Sequence, residues 1–131
     1  MKAWHIINLV LIVFLLGGIC TIEEVYVSKA LKSVQDQCFE IERMVEERDS
    51  LKDMEFVLAI DNLEYSWTKN ETTLCYMVNH KNIQEIGQEI SKIKMYIASD
   101  DIDALKVSTQ TLRMYCHSYL HFMGANIHNV L

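Results

Sequence analysis

The chain has 131 residues, with 12 basic and 18 acidic side chains, no proline, and half of its residues hydrophobic. That length supports one small domain and is too short for two. A net charge of −6 with no clustered Lys/Arg stripe excludes nucleic acid as a partner and argues against docking on anionic lipid headgroups.

Residues Ile6 to Cys20 form one apolar run (IINLVLIVFLLGGIC), broken only by Asn8. Extended by Ala3, Trp4 and Ile22 it comes to about 20 residues, enough to cross a bilayer at roughly 1.5 Å per residue. A cleaved signal peptide wants a shorter apolar region and an Ala-x-Ala-like site, and Gly18-Ile19-Cys20 is a poor substitute for one. Lipid attachment at Cys20 wants a small residue just before it, where Ile19 stands. An uncleaved anchor over residues 1–22 fits better, with residues 3–22 in the bilayer. Lys2 and the amino terminus mark the cytoplasmic side, and Glu23 and Glu24 the outer side. The body, residues 23–131, is then expected outside. Taking Lys2 from the twelve basic side chains leaves eleven against eighteen acidic, so this body carries a net charge of −7.

The body reads as helices throughout. Only Gly87 and Gly124 interrupt it, and no period-2 alternation with Asn-Gly or Asp-Gly turns is present. The first segment places Val27, Leu31, Val34, Cys38, Ile41 and Val45 at alternating spacings of four and three, continuing from the membrane helix. Glu46 to Asp49 end that stripe, and Ser50 to Asp53 form a turn and cap. The second segment carries Phe56, Ile60, Leu63, Trp67, Leu74 and Met77 on one face, with Asn70 as a polar exception, and ends near Asn79. Asn82 with Glu85 three residues later is expected to open the third helix as a capping box. Ile83, Ile86, Ile90, Ile93 and Ile97 follow as the most regular stripe. Ser99-Asp100-Asp101 breaks it, and Asp100 with Asp103 is expected to start a fourth helix burying Leu105, Leu112, Cys116, Tyr119 and Met123.

The predicted fold is therefore all-α: an N-terminal transmembrane helix followed by an antiparallel up-down four-helix bundle. A coiled-coil homodimer through the heptads of the first segment is the rival architecture. In the bundle, the end of helix two, the start of helix three and the later half of helix four share the membrane-proximal end. Cys75, His80, Cys116, His117 and His121 would gather there. His117 and His121, four apart on one helical face, could share a metal ion with His80 or a cysteine as a further ligand. Solvated histidines at helix ends are the plainer reading. Neither a haem-attachment nor a zincin motif is present, and no cofactor is expected. The body has three cysteines, an odd number. Cys38 and Cys116 fit as buried thiols, and a Cys75–Cys116 disulfide is the alternative.

The order of features, an anchor, Trp67, Asn79-His80, the isoleucine stripe, Asp100-Asp101, His117 and an Asn129-Val130-Leu131 ending, resembles a domain-of-unknown-function family. It is the one numbered 4363, small anchored helical proteins of endospore-forming bacteria. His121 and Gly124 depart from the acidic, leucine-rich ending of that pattern. The resemblance implies a bacterial cell-envelope location and a non-catalytic role, and it brings no functional residue with it. The expected function is an interaction or structural protein with an envelope protein as partner. The alternative is a ligand- or metal-binding sensor or carrier using the membrane-proximal histidines. No nucleophile, paired acids or phosphate loop points to an enzyme.

Overall fold

A computed structural model describes residues 2–48 and 50–128 of the chain. Asp49 and the Asn129 to Leu131 ending lie outside the described residues, as do the side chains of Lys2 and of residues 124–128, including Gly124. Among the described residues there are four α-helices and no strand: α1 (Lys2–Glu46), α2 (Met54–Met77), α3 (His80–Ser99) and α4 (Ile102–His128). Each packs on its neighbours in sequence, and α1 closes the ring on α4, while the diagonal pairs stay apart. This is the antiparallel up-down bundle that the four stripes predict.

α1 has two lives. Residues 3–22 are exposed along their whole length, a stretch long and apolar enough to cross a membrane and not buried by the fold at all. Burial begins at Glu23, and from Val27 the helix supplies one wall of the core with Leu31, Val34, Cys38, Ile41 and Val45. No break separates the two halves: no proline stands between them, and Thr21 donates its hydroxyl back to the Gly17 carbonyl at 2.8 Å within the continuous helix. On the α4 side, Arg113 Nε donates to Glu42 Oε1 at 3.1 Å and its guanidinium lies 4.7 Å from the centre of the Phe39 ring.

The core matches the stripes closely. Phe56, Ile60, Leu63, Trp67 and Leu74 of α2, Ile83, Ile86, Ile90 and Ile93 of α3, and Leu105, Leu112 and Cys116 of α4 are all buried. Met77, Ile97, Tyr119 and Met123 pack against that core half-buried. The polar exception Asn70 is satisfied locally: it accepts from Tyr26 Oη at 2.7 Å and donates to the Ser66 carbonyl at 2.7 Å. Leu51, in the α1–α2 turn, is buried as a plug over the distal end.

Two boundaries differ from the sequence expectation. α3 opens at Asn79 and not at Asn82: Asn79 Oδ1 accepts from Lys81 N at 2.9 Å, and its carbonyl accepts from Asn82 N at 3.0 Å. Only Val78 and Asn79 separate the helices, so a later start would leave the amides of residues 80–82 unpaired. α4 is capped by Asp101 and not by Asp100, with Asp101 Oδ1 accepting from Ala104 N at 3.0 Å. Asp100 closes α3 in the left-handed conformation (φ 58°), and the next amide, Asp101 N, bonds back to the Tyr96 carbonyl at 2.9 Å. Asp100 Oδ1 also accepts from Leu51 N at 3.1 Å, tying the two distal turns together.

Cys38 and Cys116 are buried thiols as expected, and the disulfide alternative is ruled out. Cys75 is on α2 and Cys116 on α4, a diagonal pair of helices that do not touch, so a bridge between them is out of reach. All four cysteines are free. Cys116 instead stands close enough to Cys38 to influence its ionisation, half-way along the packed part of α1 and not at the membrane-proximal end.

Candidate functional site

An open cleft of about 640 Å³ lies between α2 and α3. α2 contributes Glu64, Trp67, Thr68, Glu71 and Cys75, which recur every three or four residues and therefore share the helix edge facing α3. α3 contributes Gln84, Gly87, Gln88 and Ser91 by the same periodicity, and His80 sits at the mouth formed by the start of α3. At the distal end, Lys94 is held in an ion pair with Glu64.

Trp67 is the centre of this groove. The residue is only 3% exposed, and its indole Nε1 is buried with no hydrogen-bond partner. A donor left in that state costs about 1–3 kcal/mol. Gly87 explains how the indole fits: a Cβ at that position would lie 3.3 Å from Trp67 Nε1 and 3.5 Å from Glu71 Oε1. Glycine inside a helix costs roughly 1 kcal/mol relative to alanine, and here its missing side chain leaves the room that the indole edge of Trp67 and the Glu71 carboxylate take up. Glu71 has no ion pair or hydrogen bond among the described residues.

The histidines do not assemble. His80 lies at the α2–α3 groove, whereas His117 and His121 are exposed on α4, which does not contact α2. Among the described residues no group of three or more His, Cys, Asp or Glu is arranged to hold a metal ion. Of the five residues expected to converge, the structure brings together Cys75 and His80 and leaves Cys116, His117 and His121 elsewhere.

A family model, Domain of unknown function (DUF4363), matches residues 21–130. The chain belongs to the DUF4363 family. No curated protein and no solved structure matches it. The matched span starts at Thr21, where the exposed apolar half of α1 gives way to the packed half, so it covers the bundle.

Two further features of this DUF4363 bundle escape the sequence reading. Glu89, on the buried side of α3, is only 7% exposed; it accepts from Ser108 Oγ at 2.7 Å and from Lys92 Nζ at 2.5 Å. Neighbouring Thr109 is buried with its hydroxyl bonded to the Leu105 carbonyl at 2.8 Å. Polar residues inside an apolar stripe are the one sequence signal for this, and Ser108-Thr109 shows it.

Proposed function

We propose that this protein is a single-pass membrane protein of the bacterial cell envelope whose extracytoplasmic bundle is a non-catalytic interaction module. The observation that carries the reading is the unbroken α1. Its apolar residues 3–22 have no partner inside the fold, and the helix runs directly into the core. About 20 apolar residues left in water would be a severe liability, and a bilayer removes it. Lys2 before the span and Glu23-Glu24 after it favour an inside amino terminus.

The interaction role draws support from α2. Met54, Leu58, Tyr65 and Tyr76 are 69%, 54%, 71% and 87% exposed. Their spacing puts all four within roughly 40° of one another on the face turned away from the core. The outward faces of α1 and α3 carry mainly charged and amide side chains at the corresponding positions, such as Lys29, Asp36 and Glu40, or Gln84 and Gln88. An envelope protein that supplies a matching apolar surface is the partner this face suits.

Carbonate extraction of membranes and photo-crosslinking test the two parts. The protein is expected to stay with the membrane pellet. A photoreactive residue at Tyr65 is expected to give one discrete adduct that Leu58→Glu abolishes, while the same group at Glu40 gives none. Extraction into the soluble fraction, or equal adducts from Tyr65 and Glu40, counts against the reading.

A further inference from the structure

We propose that two copies of the chain pair side by side in the membrane through one seam of α1, with their Asn8 amides hydrogen-bonded across the contact. This pairing rests on residues 3–22 lying in the bilayer, and it names what that span binds. Asn8, Leu11, Leu15, Gly18, Ile22 and Val25 follow one another at alternating spacings of three and four, which keeps one helix face against a parallel neighbour. All are exposed in the fold. Any stripe drawn through this segment is largely apolar, but this one collects three features. They are Asn8, the primary amide of the span, the small Gly18, and Val25, an apolar side chain 61% exposed beyond the Glu23-Glu24 pair.

Asn8 decides the occupant. It lies about 7 Å inside the start of the span, and its side chain is too short to reach the headgroups as a lysine or arginine does. Acyl chains offer the amide no partner, and the backbone groups around it are already bonded within the helix. Thr21, by contrast, satisfies its hydroxyl on the Gly17 carbonyl at 2.8 Å. A primary amide carries two N–H donors and a carbonyl acceptor, so two of them can exchange bonds. A second, parallel copy of this chain brings that amide to the same depth. Gly18 has nothing within 4 Å of the place a Cβ would take, and it lets the two backbones approach farther along the seam.

The bundle leaves this face free. The core stripe of α1, from Val27 to Val45, points roughly 150° away from the seam, so the two bundles stand on opposite sides of the paired anchors. The heptads of that stripe are turned into their own core and are not the contact. Beyond Val25 the seam's spacing reaches Lys29, Lys32 and Asp36, exposed charges that end it.

The test uses the full chain in native membranes, with Cys75→Ser throughout. Val25→Cys, made together with Cys20→Ser, is expected to give a disulfide-linked adduct of twice the chain mass on copper-phenanthroline oxidation. Cys20 itself, exposed on the opposite side of α1, is expected to give none when Val25 is left in place. Asn8→Leu makes the span more apolar and keeps the chain in the membrane. In phosphatidylcholine vesicles its Val25→Cys adduct should need roughly three- to thirtyfold more protein per lipid to reach half its maximum. Equal adducts from Cys20 and Val25→Cys, or an adduct that Asn8→Leu leaves unchanged, overturn the pairing. An adduct of another mass also overturns it and assigns the seam to a different membrane protein. A membrane-bound chain with no adduct refutes the pairing alone, whereas a chain recovered in the soluble fraction refutes the span beneath it as well.

Discussion

Tyr26 Oη donates to Asn70 Oδ1 at 2.7 Å, and this bond joins the first turn of the bundle on α1 to the last third of α2. Tyr26 stands four residues past the apolar segment, so the bond fastens the start of the packed half of α1 to the later part of α2. Asn70 keeps its place in an otherwise apolar stripe because its amide nitrogen is also used, on the Ser66 carbonyl. Removing the phenol and removing the amide should therefore differ. Tyr26→Phe loses one net hydrogen bond, about 0.5–1.5 kcal/mol, and Asn70→Ala costs more because it also strands a half-buried hydroxyl. Thermal unfolding of the full chain in nanodiscs checks the order; no loss of stability in Tyr26→Phe would show that the bond contributes nothing.

Asp100 combines two roles that single substitutions can separate. Its left-handed backbone is strained for most residues, and its side chain accepts the Leu51 amide at 3.1 Å. Asp100→Asn tolerates the conformation and keeps the acceptor, so its stability should stay within about 0.5 kcal/mol of the parent. Asp100→Gly relieves strain but loses the bond, and Asp100→Ala suffers both penalties, about 2–3 kcal/mol together. The ranking Asn, Gly, Ala in melting temperature is the expected outcome. The pair with Lys52 at 3.7 Å contributes little, because Lys52 is mostly exposed.

Glu89 and Ser108 form a small polar island between α3 and α4. Glu89→Ala leaves the buried Ser108 hydroxyl without its acceptor and should cost about 1–3 kcal/mol. The double variant Glu89→Ala with Ser108→Ala removes both polar groups and should cost less than the two single changes summed. A double-mutant cycle by chemical denaturation measures the coupling; additivity of the two changes would refute it.

The buried thiols give the bundle an alkaline limit. Burial pushes Cys116 up to about 12 from its ordinary value of 9.0, and burial, with Cys116 and Glu42 nearby, pushes Cys38 up as well. Above pH 9 the unfolded chain releases these protons while the folded chain retains them, so stability should be level below pH 9 and fall as pH rises toward 12. The slope is about 1.4 kcal/mol per pH unit for each thiol. Cys38→Ala with Cys116→Ala should flatten this decline while lowering stability at pH 7 through lost packing. An unchanged pH profile in the double variant would place the effect elsewhere.

Periodicity made the helices and their core legible from single residues. Every α3 isoleucine expected inside is buried or packed on the core, and α1 continues from the anchor as its uninterrupted stripe implies. The caps were harder to read, because Asn79 and Asn82 offer the same side chain, and only the two-residue connection decides between them. The groove was less legible still. Gly87 reads in sequence as a helix interruption, and its meaning emerges only when α2 and α3 dock and the indole of Trp67 fills the space. Spacing gave the histidines only a depth along the bundle, and among the described residues no group of three metal-ligand side chains forms.

The central claim is that residues 3–22 span the membrane with the bundle outside. Cys75 tests it directly, being half-buried at the groove while Cys38 and Cys116 are fully buried. Intact bacteria are treated with a membrane-impermeant maleimide, using Cys20→Ser so that the anchor thiol does not contribute. The account predicts labelling of Cys75 before lysis, lost in Cys75→Ser. Labelling of Cys75 only after the membrane is opened would contradict it.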